Sequence, residues 1–129
     1  MAGLKEQPSH VATLNDLAML LALQGKGDAV TLAEQALTIS PDNPDVLDTL
    51  AQALVSQKDL PRAIEVQRRA VLMAPNRPAL RLTLAQWEFN AGNKAAARQS
   101  LNGVQSQADK LGAKDRATMA ELAKALNPG

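Results

Sequence analysis

The chain repeats itself at a fixed interval. Leu17-Ala18 recurs as Leu50-Ala51 and again as Leu84-Ala85. The second half of the unit returns as well, since Ala29-Val30 is matched by Ala63-Ile64, Ala36-Leu37 by Ala70-Val71, and Pro41 by Pro75, each at the same offset. A unit this short cannot bury its own apolar face and must stack on its neighbours. The period, about 34 residues, is that of a helix-turn-helix unit. The expected organisation is a single domain over residues 1–129, with repeats at about 10–43, 44–77 and 78–110 and a cap at about 113–127.

Within each unit the residue types have mechanical reasons. The small residues Ala18, Ala51 and Ala85, and then Ala29, Ala63 and Ala97, fall where the two helices of a hairpin must touch. Leu14, Leu17 and Leu21, like Leu47, Leu50 and Leu54, recur at spacings of three and four, which puts each set on one stripe of a 3.6-residue helix. These stripes are expected to build a shared core. Apolar residues make up 46% of the chain but aromatics only 2%, so Ala, Leu and Val must do the packing, and strand-forming residues are too scattered for a sheet. Pro44 and Pro78 stand where first helices begin and Pro61 opens a second helix, positions at which the missing N–H is not needed. Asn43 can cap one start. Gly25, Gly27 and Gly92 fall in the turns between paired helices, whereas Lys58-Asp59 replaces the turn glycine of the middle repeat. Helices are predicted at 9–24, 28–39, 44–57, 61–73, 78–91 and 94–107. A seventh, capped by Asp115 and running to about Leu126, presents Met119, Leu122, Ala123 and Leu126 on one face as the cover of the last repeat.

These motifs resemble the tetratricopeptide repeat (TPR) superfamily over residues 10 to about 105, which implies an all-α α-α superhelix of about three helical hairpins plus a C-terminal capping helix. Three stretches, Thr13 to Ala18, Pro41 to Leu50 and Gly92 to Arg98, are similar to the C-terminal repeats of long bacterial TPR proteins. Among these are the lipoproteins of exopolysaccharide and PEP-CTERM sorting systems, which implies a scaffold at the cell envelope if the chain is a piece of such a protein. No signal peptide or membrane span is legible, so the cytoplasm is the expectation otherwise.

Several chemistries are set aside on composition. The chain has no cysteine, no tyrosine and one histidine, too few groups for a convergent catalytic site, and it is read as not an enzyme, with no cofactor. His10 has only Glu6 near it in sequence and is read as solvated, not as a metal ligand. Asp42, Asp45 and Asp48 complement a helix N-terminus better than they make a calcium loop, which would need a turn glycine and a closing glutamate. A net charge of +1 and a lack of aromatics interleaved with basic residues argue against nucleic acid. Charge is nonetheless uneven, with two lysines against five acids in residues 1–43 and eight basic residues against four acids in 77–129.

What remains is binding of another protein or peptide segment. By the resemblance, positions 2, 5, 9, 12 and 13 of each repeat face a bound peptide in the concave groove. In this chain the candidate partner-binding residues are Asn15 and Met19, then Asp48, Gln52 and Val55, then Gln86, Phe89 and Asn90. None is lysine or arginine, so the clamp with which chaperone-docking members hold a C-terminal carboxylate is not reproduced. In the last repeat Glu88 takes the place of a core leucine. Trp87 is expected beneath the C-terminal cap, with Phe89 as an apolar anchor in the groove, and Arg68 and Arg69 on the solvent side. The alternative is a structural or self-associating segment of a longer bacterial scaffold, the acidic N-terminal end of one copy meeting the basic C-terminal end of the next.

Overall fold

A computed structural model describes the backbone over residues 2–127 and side chains from His10 to Asn127. Among these residues are seven α-helices and no strand: α1 (Ala2–Leu23), α2 (Asp28–Ile39), α3 (Pro44–Ser56), α4 (Leu60–Met73), α5 (Pro78–Asn90), α6 (Lys94–Gln105) and α7 (Ala113–Leu126). A 3₁₀ turn at Ala108–Lys110 precedes α7. Helices α1 and α2, α3 and α4, and α5 and α6 pack as hairpins. The chain divides into two compact units, one ending at Met73 and the other starting at Ala74.

The six alanines assigned to hairpin contacts, Ala18, Ala29, Ala51, Ala63, Ala85 and Ala97, are all fully buried. A methyl group there lets the two backbones of a hairpin approach, and a larger side chain would hold them apart.

All three hairpin turns are closed in the same way. After α1, the Gly25 N–H donates to the Ala22 carbonyl and Lys26 N–H to Leu21; after α3, Lys58 donates to Val55 and Asp59 to Leu54; after α5, Gly92 donates to Phe89 and Asn93 to Glu88. Each pair satisfies two carbonyls that the helix end would leave open, and each needs one residue in the left-handed region. That residue is Gly25 at φ 72°, Lys58 at φ 65° and Gly92 at φ 86°. The middle repeat therefore makes the turn of its neighbours without their glycine.

In the first unit, α3 packs against both α1 and α2. One apolar cluster joins Val11, Ala36 and Val46, and another joins Ala22, Ala29 and Ala53. Asn43 caps α3 as its type suggests, its Oδ1 accepting from the N–H groups of Asp45 at 3.0 Å and Val46 at 3.4 Å, with Pro44 in the first turn. One expectation fails here. Leu17 is 43% exposed, although its repeat equivalents Leu50 and Leu84 are 3% and 5% exposed. Leu50 lies beside Leu37 of the hairpin before its own, and among the described residues no hairpin precedes α1.

In the second unit, α7 packs on both α5 and α6. Leu122 and Leu126 join Leu82, Ala85, Ala97, Leu101 and Val104, with Leu111 entering after the 3₁₀ turn. Arg98 Nη2 donates to the Leu126 carbonyl at 3.0 Å, placing a cation at the C-terminal end of α7. Arg116 holds the preceding turn through the carbonyls of Ala108 and Asp109. The start of α7 differs from expectation, since Gly112 occupies the N-cap without a side-chain bond and Asp115 lies within the first turn, where its charge suits the helix dipole.

The cap also covers a different aromatic from the one expected. Phe89 and Met119 pack against the α5–α6–α7 cluster, whereas Trp87, although buried, lies outside it. Two residues on a helix are about 200° apart, so Trp87 and Phe89 cannot share the α7 face.

Candidate functional site

The α1–α2 and α3–α4 hairpins leave a groove of about 500 Å³ between α1 and α3. Val11, Met19 and Val46 give it apolar wall, and Asn15, Asp16, Asp45 and Asp48 are among its polar lining. The residues of α1 that line it, Val11, Ala12, Asn15, Asp16 and Met19, recur at three- and four-residue spacings and so form one helix face. On α3, Asp45, Asp48 and Thr49 stand likewise. The charged side chains lining this groove are all acidic.

Asn15 is its most informative member. The side chain is half-buried, and Oδ1 is cut off from solvent without a hydrogen-bond partner. A buried amide oxygen with no donor is costly, and native structures contain few of them. Its neighbour on the next turn, Met19, is also half-buried and supplies a flexible, polarisable contact.

The eight residues expected to bind a partner fall into three sets. Asn15, Met19 and Asp48 come together in the α1–α3 groove. Gln52 and Val55 lie outside its lining but are half-buried on α3, one and two turns beyond Asp48 on the same helix face. Gln86, Phe89 and Asn90 line a separate groove of about 230 Å³ in the second unit, whose other wall is Thr118, Glu121, Leu122 and Ala125 of α7. Sequence reasoning assigned α7 a covering role and overlooked that its polar edge makes a wall. The signal was present in Thr118 and Glu121, which flank the apolar face of Met119 and Leu122.

Glu88 is 3% exposed, and its Oε1 accepts a 2.6 Å hydrogen bond from the Ser100 hydroxyl of α6. The glutamate in a leucine's place is thus matched by a donor on the partner helix. On the other side of the first unit, Glu34, Leu37 and Leu50 with Arg62, Val66 and Arg69 border a shallow groove of about 480 Å³ between α2 and α4. Arg62 and Glu34 pair across it at 3.1 Å, both half in water, so the pair contributes little to stability. Arg68 and Arg69 are exposed, and Arg69 Nη2 donates to the Pro41 carbonyl at 3.3 Å. His10 is exposed; the side chain of Glu6 lies outside the described residues.

The sequence model of the tetratricopeptide repeat family matches residues 27–76. No curated protein matches the sequence. Among solved structures, the type III secretion translocator chaperone SycD of Yersinia enterocolitica superposes with a TM-score of 0.83 at 16% identity, over 92% of this chain and 83% of that one. The same chaperone in complex with a peptide of the translocator YopD gives 0.81 at 19% identity, over 91% and 92%. The first TPR domain of Spaghetti (RPAP3) bound to the HSP90 peptide SRMEEVD gives 0.77 at 17% identity, over 92% and 96%. At such identities the likeness is one of fold: all-α, with helices packed in pairs.

Proposed function

We propose that this chain, a tetratricopeptide repeat protein, is a non-catalytic adaptor that binds a segment of another protein in the groove between α1 and α3. The observation that carries the reading is the buried, unsatisfied Asn15 Oδ1 on the wall of that groove. A peptide backbone N–H is the donor it lacks, and the neighbouring amide NH₂ can donate to a carbonyl of the same segment. Met19 and Val11 take an apolar side chain beside it, and Asp16, Asp45 and Asp48 favour a segment that presents N–H donors over one rich in acids. Gln52 and Val55 extend the same face of α3. Two of the structurally similar domains hold peptides, which is consistent with this use of the fold. Gln86, Phe89 and Asn90 belong to the same adaptor as a second, smaller contact beside α7.

The test is a peptide selected from a random library against the full chain, then titrated. Asn15→Ala is expected to weaken binding by up to about tenfold, the worth of one hydrogen bond left unmade. Arg69→Glu, in the α2–α4 groove, should leave it unchanged. Binding abolished by Arg69→Glu and indifferent to Asn15→Ala would move the working surface to the outer side.

A further inference from the structure

The α1–α3 and α2–α4 grooves of the first unit differ in charge. In the α2–α4 groove Arg62 and Arg69 stand against Glu34 and Glu65, so the two signs balance. The charged residues of the α1–α3 lining are three aspartates. Two of them are engaged in the fold: Asp45 lies in the first turn of α3, where its charge suits the helix dipole, and Asp45 and Asp48 both have interactions of their own. Asp16 is the exception. It is exposed, it stands about two turns from the nearer end of α1, and its carboxylate forms no hydrogen bond or ion pair among the described residues. The residues three and four away on α1 are Ala12, Thr13, Met19 and Leu20, none of them basic, so the helix offers it no pair. Aspartate is among the poorer residues inside a helix, and here neither a cap, the dipole nor a pair compensates for it. Its neighbour Asn15 carries the buried Oδ1 without a donor. Two consecutive residues of α1 thus present unspent acceptors to one groove.

We propose that the segment taken by the α1–α3 groove is a basic one, carrying a lysine or arginine whose cation pairs with the Asp16 carboxylate while a backbone N–H beside it donates to Asn15 Oδ1. This rests on the reading above that the groove holds a segment of another protein. The partner's charge follows from the lining. A cation entering this groove meets carboxylates and neither ammonium nor guanidinium, whereas a segment rich in aspartate or glutamate meets only like charge. Lysine and arginine also supply several N–H donors each and no acceptor, which matches a wall whose free groups accept. The methylene stem of either residue can lie along Met19 and Val11 with its charge at the exposed Asp16. An acidic segment or a C-terminal carboxylate is thereby turned away, because like charges set against each other at an interface are costly. Since Asp16 is open to water, the pair adds selectivity and a modest share of the affinity.

The test uses the full chain, immobilised, and a library of random-sequence peptides. At ~0.15 M salt, where exposed charges further apart than about 8 Å are screened, the bound pool should be richer in lysine and arginine than the input. The tightest peptide should then bind Asp16→Asn about two- to fivefold more weakly than the native chain, the worth of an exposed ion pair, and Asp16→Lys more weakly still. Replacing the peptide's basic residues by glutamine should abolish the difference between the native chain and Asp16→Asn. The thermal midpoint of Asp16→Asn should match that of the native chain, because the exposed carboxylate holds nothing in the fold. Glu65→Gln, in the α2–α4 groove, should bind as the native chain does. Peptides that need Asn15 but are no richer in basic residues, and that bind Asp16→Asn as tightly as the native chain, overturn this proposal and leave the groove as the binding site. Peptides indifferent to both Asn15→Ala and Asp16→Asn, or no bound pool at all, overturn the groove reading and this proposal with it.

Discussion

Lys58 occupies the left-handed backbone position that Gly25 and Gly92 occupy in the flanking repeats, which makes Lys58→Gly a test of how much the turn itself matters. Holding a residue with a Cβ at φ 65° costs about 1–2 kcal/mol. Glycine removes that strain but gives back about 0.5–1 kcal/mol, because its unfolded chain has more freedom to lose. The side chain is exposed and forms no ion pair among the described residues, so nothing else is lost. The net expectation is a gain of about 0.5–1 kcal/mol, or about 2–4 °C in Tm for a chain of this size. Gly92→Ala supplies the opposite sign. A Cβ built there meets no atom within 4 Å, so the cost is conformational and not steric, and the strain less the entropy that glycine would have had to lose leaves about 0.5–1 kcal/mol. Urea denaturation of both variants measures this directly, with unchanged slopes showing that only stability moved. If Lys58→Gly lowers the midpoint, or Gly92→Ala leaves it where it was, the turn is not what limits the hairpin.

Three further outcomes follow from the packing. Ala63→Leu puts a large side chain at a fully buried hairpin contact and should cost about 1–3 kcal/mol in thermal or urea unfolding. Ser100→Ala removes a donor to the buried Glu88 and should cost about 1–3 kcal/mol, whereas Ser100→Thr, which keeps the hydroxyl, should cost less. Leu126→Ala empties a site 1% exposed in the α7 cluster and should lower stability by about 2–5 kcal/mol. The lone tryptophan's emission maximum in the folded state should stay put, because Trp87 lies outside that cluster.

Much of the fold was legible because the signals at each level agree. The period placed the hairpins, the alanines placed the close contacts, and Pro44, Pro78 and Asn43 placed helix starts within a residue or two of where they stand. The misreadings share a cause. Leu17 and Leu50 are the same letter at the same repeat position, yet one is exposed and the other buried. A repeat position carries the instruction to bury a side chain, and the neighbour that covers Leu50 lies in the hairpin before it. Periodicity reads the instruction and is blind to whether the neighbour is present.

The candidate site was legible only in part, and for the same kind of reason. Carrying five positions across three repeats treats the helices as equivalent, and Asn15, Met19 and Asp48 do converge on one groove. Phe89, the equivalent in α5 of Val55 in α3, meets α7 instead, whose Leu122 lines the same groove and whose Met119 packs on the same cluster. A side chain that would be a free anchor in an internal repeat becomes part of the wall in a terminal one. Glu88 makes the point from the other direction. Its carboxylate is an error by the repeat's own pattern, and Ser100, twelve residues away on α6, corrects it with one 2.6 Å hydrogen bond. Position within the period thus predicts which way a side chain faces, while what it does there depends on the particular element set against it, and that is decided by pairs such as Glu88 and Ser100 that no periodic pattern contains.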